Sequence, residues 1–260
     1  MSIFMLFLCA CASSGNDEKE NGGEIVVQKS EKEKIEAFID AHWQAYGYSE
    51  KPNKYLALSF DDGPCAPDNA GGTAALLAVL EALNVKATFF VIGSQVRINQ
   101  GAAQDIFNAG HELGNHSESY VSLGSSPPDT IRASLEACSA AIKEISGKNP
   151  LLFRAPNLNH GANLTQVCTE MGMALINGSA HNDWPGNSEA IRNSVLANPQ
   201  DGGIFILHEN NTSQGNTMAV LPDIISSLRE KGFWIMTVGE LAIIKEKELI
   251  PGVQYSVFML

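Results

Sequence analysis

Two rhythms of apolar residues alternate along this chain. Over residues 55–60 the positions are almost continuously apolar, and the run stops at Asp61 and Asp62 before the turn pair Gly63-Pro64, which is the pattern of a buried strand. Shorter runs of the same kind predict strands over residues 87–92, 111–115, 151–153, 174–177, 203–207 and 233–237. Between them, apolar residues three and four apart predict helices over 73–83, 100–108, 129–145, 163–171, 188–197 and 218–231, with a closing helix after the last strand. Ahead of all this, Ile35, Phe38, Ile39, Trp43 and Tyr46 form a helical stripe with His42 beside it, expected to pack on the outside or bottom of the fold. Strands that alternate with helices at this interval pair in parallel through crossover helices, so the fold class is α/β. Seven such units suit a closed or nearly closed barrel, and an open doubly wound sheet is the alternative. No internal repeat is visible, and no Gly-rich phosphate loop follows a strand.

A barrel puts its chemistry at the C-terminal ends of its strands. Polar residues gather at those ends: Asp61 and Asp62 at the first, His116 at the third, Arg154 at the fourth, Asp183 and Trp184 beyond the fifth, His208 at the sixth. Each alone has a bland reading, as a helix cap, a surface ion pair, a core indole or a satisfied buried imidazole. Five strand ends behaving this way together point to a site. Adjacent carboxylates at a strand end leave in different directions, so one of Asp61 and Asp62 can hold a cation while the other handles a proton.

Composition narrows the partners. The chain has 260 residues, 44% of them hydrophobic, enough for one catalytic-sized domain. A formal net charge of -12 argues against nucleic acid and against an anionic membrane surface, and favours an uncharged or cationic partner. Residues 1–11 are apolar and end on Leu8-Cys9-Ala10-Cys11, resembling a bacterial lipoprotein signal with Cys11 as the lipidated residue. The expected location is therefore the cell envelope, membrane-anchored and facing the periplasm or exterior. Residues 12–30 read as a flexible tether, 31–50 as the amphipathic helix and linker, 51–250 as the catalytic domain and 251–260 as a C-terminal tail. Three cysteines remain in the folded part, Cys65, Cys138 and Cys168. A bridge between the last two is one option and isolated buried thiols the favoured one.

With these residues assembled, the chain resembles the polysaccharide deacetylase (NodB-homology) family over roughly residues 54–241. The matching segments are Ser59-Phe-Asp-Asp-Gly-Pro64, Lys86-Ala-Thr-Phe-Phe-Val-Ile-Gly93, Gly110-His-Glu-Leu-Gly-Asn-His-Ser117, Phe153-Arg-Ala-Pro156, Asp183-Trp184 and Gly203-Ile-Phe-Ile-Leu-His208. The resemblance implies a distorted (β/α)7–8 barrel that removes acetyl groups from an N-acetylated glycan with a divalent metal, zinc first and cobalt as an alternative. By position it implies Asp61 as general base, His208 as general acid, and Asp62 and His116 as metal ligands. Arg154 would orient Asp61, Asp183 would orient His208, and Trp184 with Leu207 would line the acetyl pocket beside Pro156.

Amide hydrolysis needs an activated water, stabilisation of an oxyanion and a proton for the departing amine. The backbone N–H of Asn157, just past Pro156, is a candidate to share the oxyanion. Two departures from the family pattern stand out. The family's His-Ser/Thr-x-x-His would set two imidazoles on one helical face, but here His116-Ser-Glu-Ser-Tyr120 puts Tyr120 in the second place. A free phenol titrates near ~10, so Tyr120 as third ligand predicts a weakly held metal, with Cys65 as a conceivable substitute. Asn157 stands where the family tends to have Tyr or Phe. An O-acetyl esterase acting on plant glycan and a glycan-binding pseudoenzyme are the other two readings.

Overall fold

The computed structural model describes residues 29–66, 72–178, 183, 187–209 and 214–259. The leading segment 1–28, and with it Cys11 and most of the expected tether, lies outside the described residues. In chain order the elements are α1 (Glu31–His42), β1 (Lys54–Asp61), α2 (Gly72–Ala82), β2 (Thr88–Val91), α3 (Gly93–Ile98), α4 (Gln100–Asn108), β3 (Glu112–Asn115), α5 (Pro128–Ser146) and β4 (Leu152–Phe153). There follow α6 (Ala162–Glu170), β5 (Ala174–Ile176), α7 (Ser188–Leu196), β6 (Ile204–His208), α8 (Gln214–Glu230), β7 (Phe233–Met236), α9 (Val238–Ile244) and β8 (Gln254–Tyr255).

Local chemistry explains the element ends. Ser30 and Glu33 form a capping box that starts α1, and Thr237 with Glu240 does the same for α9. Pro128 opens α5, and Gly147 closes it in the left-handed conformation at φ 75. The helix expected over residues 31–46 stops at His42. Two elements escaped the pattern: α3, six residues long, and β8, two residues long within the expected C-terminal tail. Both are too short to show a period.

The sheet runs β6-β1-β2-β3-β4-β5-β8, every pair parallel, with β7 against the first half of β1. It curls into a nearly closed barrel, and an antiparallel bridge between Gly203, just before β6, and Val257, just after β8, links its two edges. The open doubly wound alternative is thereby set aside. Apolar side chains fill two spaces. Leu56, Leu58, Phe60, Phe89, Val91, Phe205 and Leu207 face outward onto α2, α4, α5 and α8. Ala57, Phe90, Ile176, Ile204, Trp234 and Met236 fill the interior and lower end, where α1 adds Ile35 and Ile39. Just past α1, Tyr46 and Tyr48 stack on Trp234 at 5.4 and 5.3 Å, so the expected stripe packs on the barrel through Ile35, Ile39 and Tyr46 while Phe38 stays exposed. Truncating a fully buried ring such as Phe60 to alanine costs about 3–5 kcal/mol.

Candidate active site

Register sets the interior layers. Asp61 is the Cα partner of Phe90 on one side and His208 on the other, so these three side chains share the top layer. One residue pair lower, Ser59, Thr88, Ile206 and Glu112 form the next. The top layer is held from the side by Arg154, which is fully buried. Its Nη1 donates to Asp61 Oδ1 at 2.6 Å and to Ser59 Oγ at 2.8 Å, its Nε donates to Ile176 O at 3.1 Å, and its plane lies 4.0 Å over the Phe90 ring. Gly114 makes room for that ring, because a Cβ there would come within 2.6 Å of it. Burial lowers the Arg154 pKa and the Asp61 charge opposes this. Arg154 thus binds one oxygen of Asp61 and leaves Oδ2 turned toward His116, 3.9 Å from its Nε2.

Asp62 follows with φ 75, a left-handed backbone that swings its carboxylate away from the line of the strand. Its Oδ1 is buried, has no hydrogen-bond partner, and stands 3.3 Å from His116 Nε2. His116 Nδ1 is 2.7 Å from Arg154 O and can only donate to that carbonyl. This fixes the tautomer: in the neutral ring, Nε2 presents a lone pair to an orphaned carboxylate oxygen. A hard or borderline divalent cation satisfies both, and a histidine braced through a backbone carbonyl is the usual support of such a ligand. Asp62 and His116 therefore fit a metal, although no group of three or more His, Cys, Asp or Glu side chains stands ready for one among the described residues.

Beside Asp61, at the end of the neighbouring strand β6, stands His208. Asp183, fully buried, accepts from His208 Nδ1 at 2.6 Å, from the His208 N–H at 2.9 Å and from the Thr217 hydroxyl at 2.9 Å. Burial alone would lower the His208 pKa, but the bond to Asp183 and the charges of Asp61, Asp183 and Asp62 raise it to about 9. The imidazole is thus a cation at neutral pH with its Nδ1 occupied and its ring partly open to the cleft.

The remaining predicted residues divide. Pro156 is buried and opens a single 3-10 turn, Pro156–Leu158, in which Asn157 sits at φ 57 and ψ 18. The turn's own bonds use the N–H groups of Leu158 and Asn159. Tyr120 is about half exposed, and its hydroxyl donates to Asn157 Oδ1 at 3.0 Å. Partial burial and the charges of Asp62 and Asp61 raise its pKa. The expected helical face shared by His116 and Tyr120 does not exist, because residues 116–120 form no helix and Ser117 turns the chain at φ 68. Leu207 corrects a second expectation: it is fully buried in the outward core with Phe60, Leu221 and Ile224. Strand alternation puts it on the face opposite His208, and Ile206 is the apolar residue on the His208 side. Trp184 lies outside the described residues.

Sequence reasoning missed Glu209. Its carboxylate is fully buried beneath Gly63, where a Cβ would sit 1.8 Å from Oε2, and it accepts from the Thr73 hydroxyl. Its N–H donates to Asp61 O at 2.9 Å, so it braces the Asp61-Asp62-Gly63 turn from below. Burial pushes its carboxyl up to about 7. The Cys65 thiol lies against Glu209 O at 3.5 Å. Cys138 and Cys168 are buried and unbridged, their thiols pushed up to about 12 by burial. An acid directly after a strand-end histidine was the available signal for Glu209.

A carboxylate and an imidazole at neighbouring strand ends, with a two-ligand cation position beside the carboxylate, are what hydrolases that work with a divalent metal require. Comparison narrows the class. A family model described as polysaccharide deacetylase matches residues 48–176. A peptidoglycan-N-acetylglucosamine deacetylase of Bacillus cereus is 32% identical over 199 residues, covering 74% of this chain and 91% of that protein. A bifunctional xylanase/deacetylase of Pseudobutyrivibrio xylanivorans is 35% identical over 217 residues, covering 82% of this chain and 34% of the relative. Among solved structures, a family 4 acetyl xylan esterase from Clostridium thermocellum in complex with a cobalt ion superposes with a TM-score of 0.73 at 33% identity, covering 80% of this chain and 100% of that one. The chain belongs to the polysaccharide deacetylase family. It spans 34% and 39% of the length of the first two curated relatives it matches.

Proposed function

We propose that this protein hydrolyses acetyl groups from an N-acetylated glycan, an N-acetylglucosamine polymer or peptidoglycan, with a divalent metal bound by Asp62 and His116. The observation that carries the reading is the pairing of two differently held groups at adjacent strand ends, Asp61 on β1 and His208 on β6. Asp61, oriented through Oδ1 by Arg154, keeps Oδ2 for the proton of the attacking water. His208, positively charged because its folded pKa is about 9 and held through Nδ1 by Asp183, gives its other ring proton to the departing amine. A bound zinc or cobalt ion would lower the pKa of water and polarise the acetyl carbonyl. Asn157 N–H, unused by its own turn, shares the oxyanion charge, and Ile206 and Pro156 give the acetyl methyl an apolar wall. An amine leaving group needs a proton before it departs, which is the reason for a cationic His208; a simple glycan binder has no use for it. Lipid attachment at Cys11 and an envelope location belong to the same proposal, resting on the composition of residues 1–30.

The test is acetate release from N-acetylated chito-oligosaccharide, peptidoglycan and acetylated xylan, each with and without added zinc or cobalt. Release from either of the first two, stimulated by metal, is expected. Release from xylan alone would replace the amidase reading with an esterase one, and no release from any of the three with metal present would leave a glycan-binding protein.

A further inference from the structure

The wall of the cleft between β3 and β4 is made of two loops laced together. Tyr120 hydroxyl donates to Asn157 Oδ1 at 3.0 Å, Asn159 Nδ2 donates to Ser122 Oγ at 2.6 Å, and Asn163 Nδ2 donates to Ser126 O at 3.1 Å. The loops pass so closely that a Cβ on Gly161 would lie 1.9 Å from Gly124 O. The rung nearest the chemistry is Tyr120 to Asn157, and it reaches the point where the backbone is least comfortable. Asn157 and Leu158 are consecutive left-handed residues at φ 57 and φ 52, a conformation that asparagine tolerates and leucine adopts only at a cost. A left-handed asparagine ordinarily turns its carboxamide back onto the neighbouring backbone. Here the carboxamide oxygen crosses to the other loop instead.

We propose that Tyr120 is a positioning residue, whose bond to Asn157 latches the turn in the one orientation that points the Asn157 N–H at the reacting acetyl oxygen. The inference rests on the reading of Asn157 N–H as an oxyanion donor. Relaxing Asn157 about its N–Cα bond changes the angle between its side chain and the Pro156–Asn157 peptide plane, which carries that N–H. The same rotation moves Asn157 Oδ1 off Tyr120, so the latch opposes it. The phenol serves the cleft through its proton, and the metal is held on the protein side by Asp62 and His116.

Three measurements on the full chain test this. Tyr120→Phe removes only the hydroxyl, and Asn157→Gly removes the carboxamide while leaving the left-handed backbone free of strain. Each should lower kcat for acetate release from N-acetylated chito-pentaose by about threefold to tenfold, the worth of one hydrogen bond, with KM within about twofold. The double variant should be no slower than the worse single one, because both remove the same bond. Zinc affinity, read by competition with a chromogenic chelator, should stay within about twofold in Tyr120→Phe, since no ligand is lost. The amide resonances of Asn157 and Leu158 should broaden or shift in Tyr120→Phe. A Tyr120→Phe protein with unchanged kcat and unchanged amide signals refutes the latch, as do losses that multiply in the double variant. A tenfold or greater fall in zinc affinity refutes it too, and makes Tyr120 a metal ligand. If the amides respond but the wild-type protein releases no acetate from any glycan, the deacetylase reading falls while the latch stands.

Discussion

The top layer of the barrel interior and the layer one residue pair below it both bury ionisable groups, yet they are satisfied in opposite ways. In the lower layer the hydrogen bonds close within the fold. Thr88 Oγ1 donates to Glu112 Oε2 at 2.6 Å and accepts from Val238 N–H at 2.8 Å, Gly239 N–H donates to the same Glu112 oxygen at 3.0 Å, and Ser59 ties Phe205 O to Arg154. At the top, Arg154 engages one oxygen of Asp61, Asp62 Oδ1 has no partner among the described residues, and His208 is bound to Asp183 through Nδ1 with its ring partly open to the cleft. A buried charge is therefore a poor guide to function by itself. What separates the layers is the direction of the unused lone pair or proton.

The largest expected effect tests that contrast directly. Asp61→Asn and His208→Ala should each lower kcat by about 10²–10⁴-fold, because each removes a proton-transfer role; Asp61→Asn should lower Tm as well, since it leaves the buried Arg154 guanidinium without its counter-charge. Glu112→Gln, buried just as near the barrel axis, should leave kcat within about twofold. Equal losses in all three variants, measured as acetate release, would erase the distinction between the layers.

Arg154 is where the two layers join, and its removal should be felt as stability as well as rate. Arg154→Met leaves the Asp61 carboxylate buried without its partner, a change that costs about 3–5 kcal/mol and should lower Tm markedly. Double substitution of Arg154→Met with Asp61→Asn should recover part of that loss. A double variant less stable than Arg154→Met alone would mean that Arg154 supports the fold through Ser59 and Phe90 rather than through Asp61.

Much of this was legible in the sequence, and the failures have physical causes. Strands β1, β2, β6 and β7 are buried on both faces, so their runs stand out, and a strand end can be read to within one or two residues. Asp61, His116, Arg154 and His208 could be assigned to strand ends for that reason. Leu207 was placed on the wrong face because a continuous apolar run hides the two-residue alternation that separates it from Ile206. Tyr120 was put on a helix because i and i+4 spacing does not reveal the left-handed Ser117 that prevents one. Glu209 carries no periodic signal at all. Its full burial, its bond from Thr73 and the close approach of Gly63 show that its carboxylate is packed under the site.

The third prediction concerns the pH dependence of the top layer. Asp183 supplies the bond that raises His208, so Asp183→Asn should move the alkaline limb of the kcat/KM profile down from near 9 by about one unit or more. An unshifted limb would assign it to another group.

The smallest effect belongs to the lower layer and should appear in stability rather than rate. Burial raises the Glu112 carboxyl from its usual 4.5 to about 7, against the opposing bonds from Thr88 and Gly239. The folded protein therefore holds a proton on Glu112 that the unfolded chain has already released between those two values. A group whose folded pKa is raised contributes stability that is complete below the unfolded pKa and disappears as pH rises through the folded one. So Glu112 should make the wild-type Tm fall between about pH 4.5 and pH 7. His111, buried and lowered to about 3, slopes the opposite way, and Glu209 slopes the same way as Glu112. Both remain in a Glu112→Gln variant, so they cancel when its melting curve is subtracted from the wild-type one. What is left is the term from Glu112 together with any relaxation of Glu240, which its charge influences. The variant should gain on the wild type steadily from pH 5 to pH 7.5. A constant difference across that range would mean that the Glu112 carboxylate is ionised in the folded protein, the hydrogen bonds donated by Thr88, Gly239 and Val238 outweighing its burial, and the lower layer would then carry a charge as the upper one does.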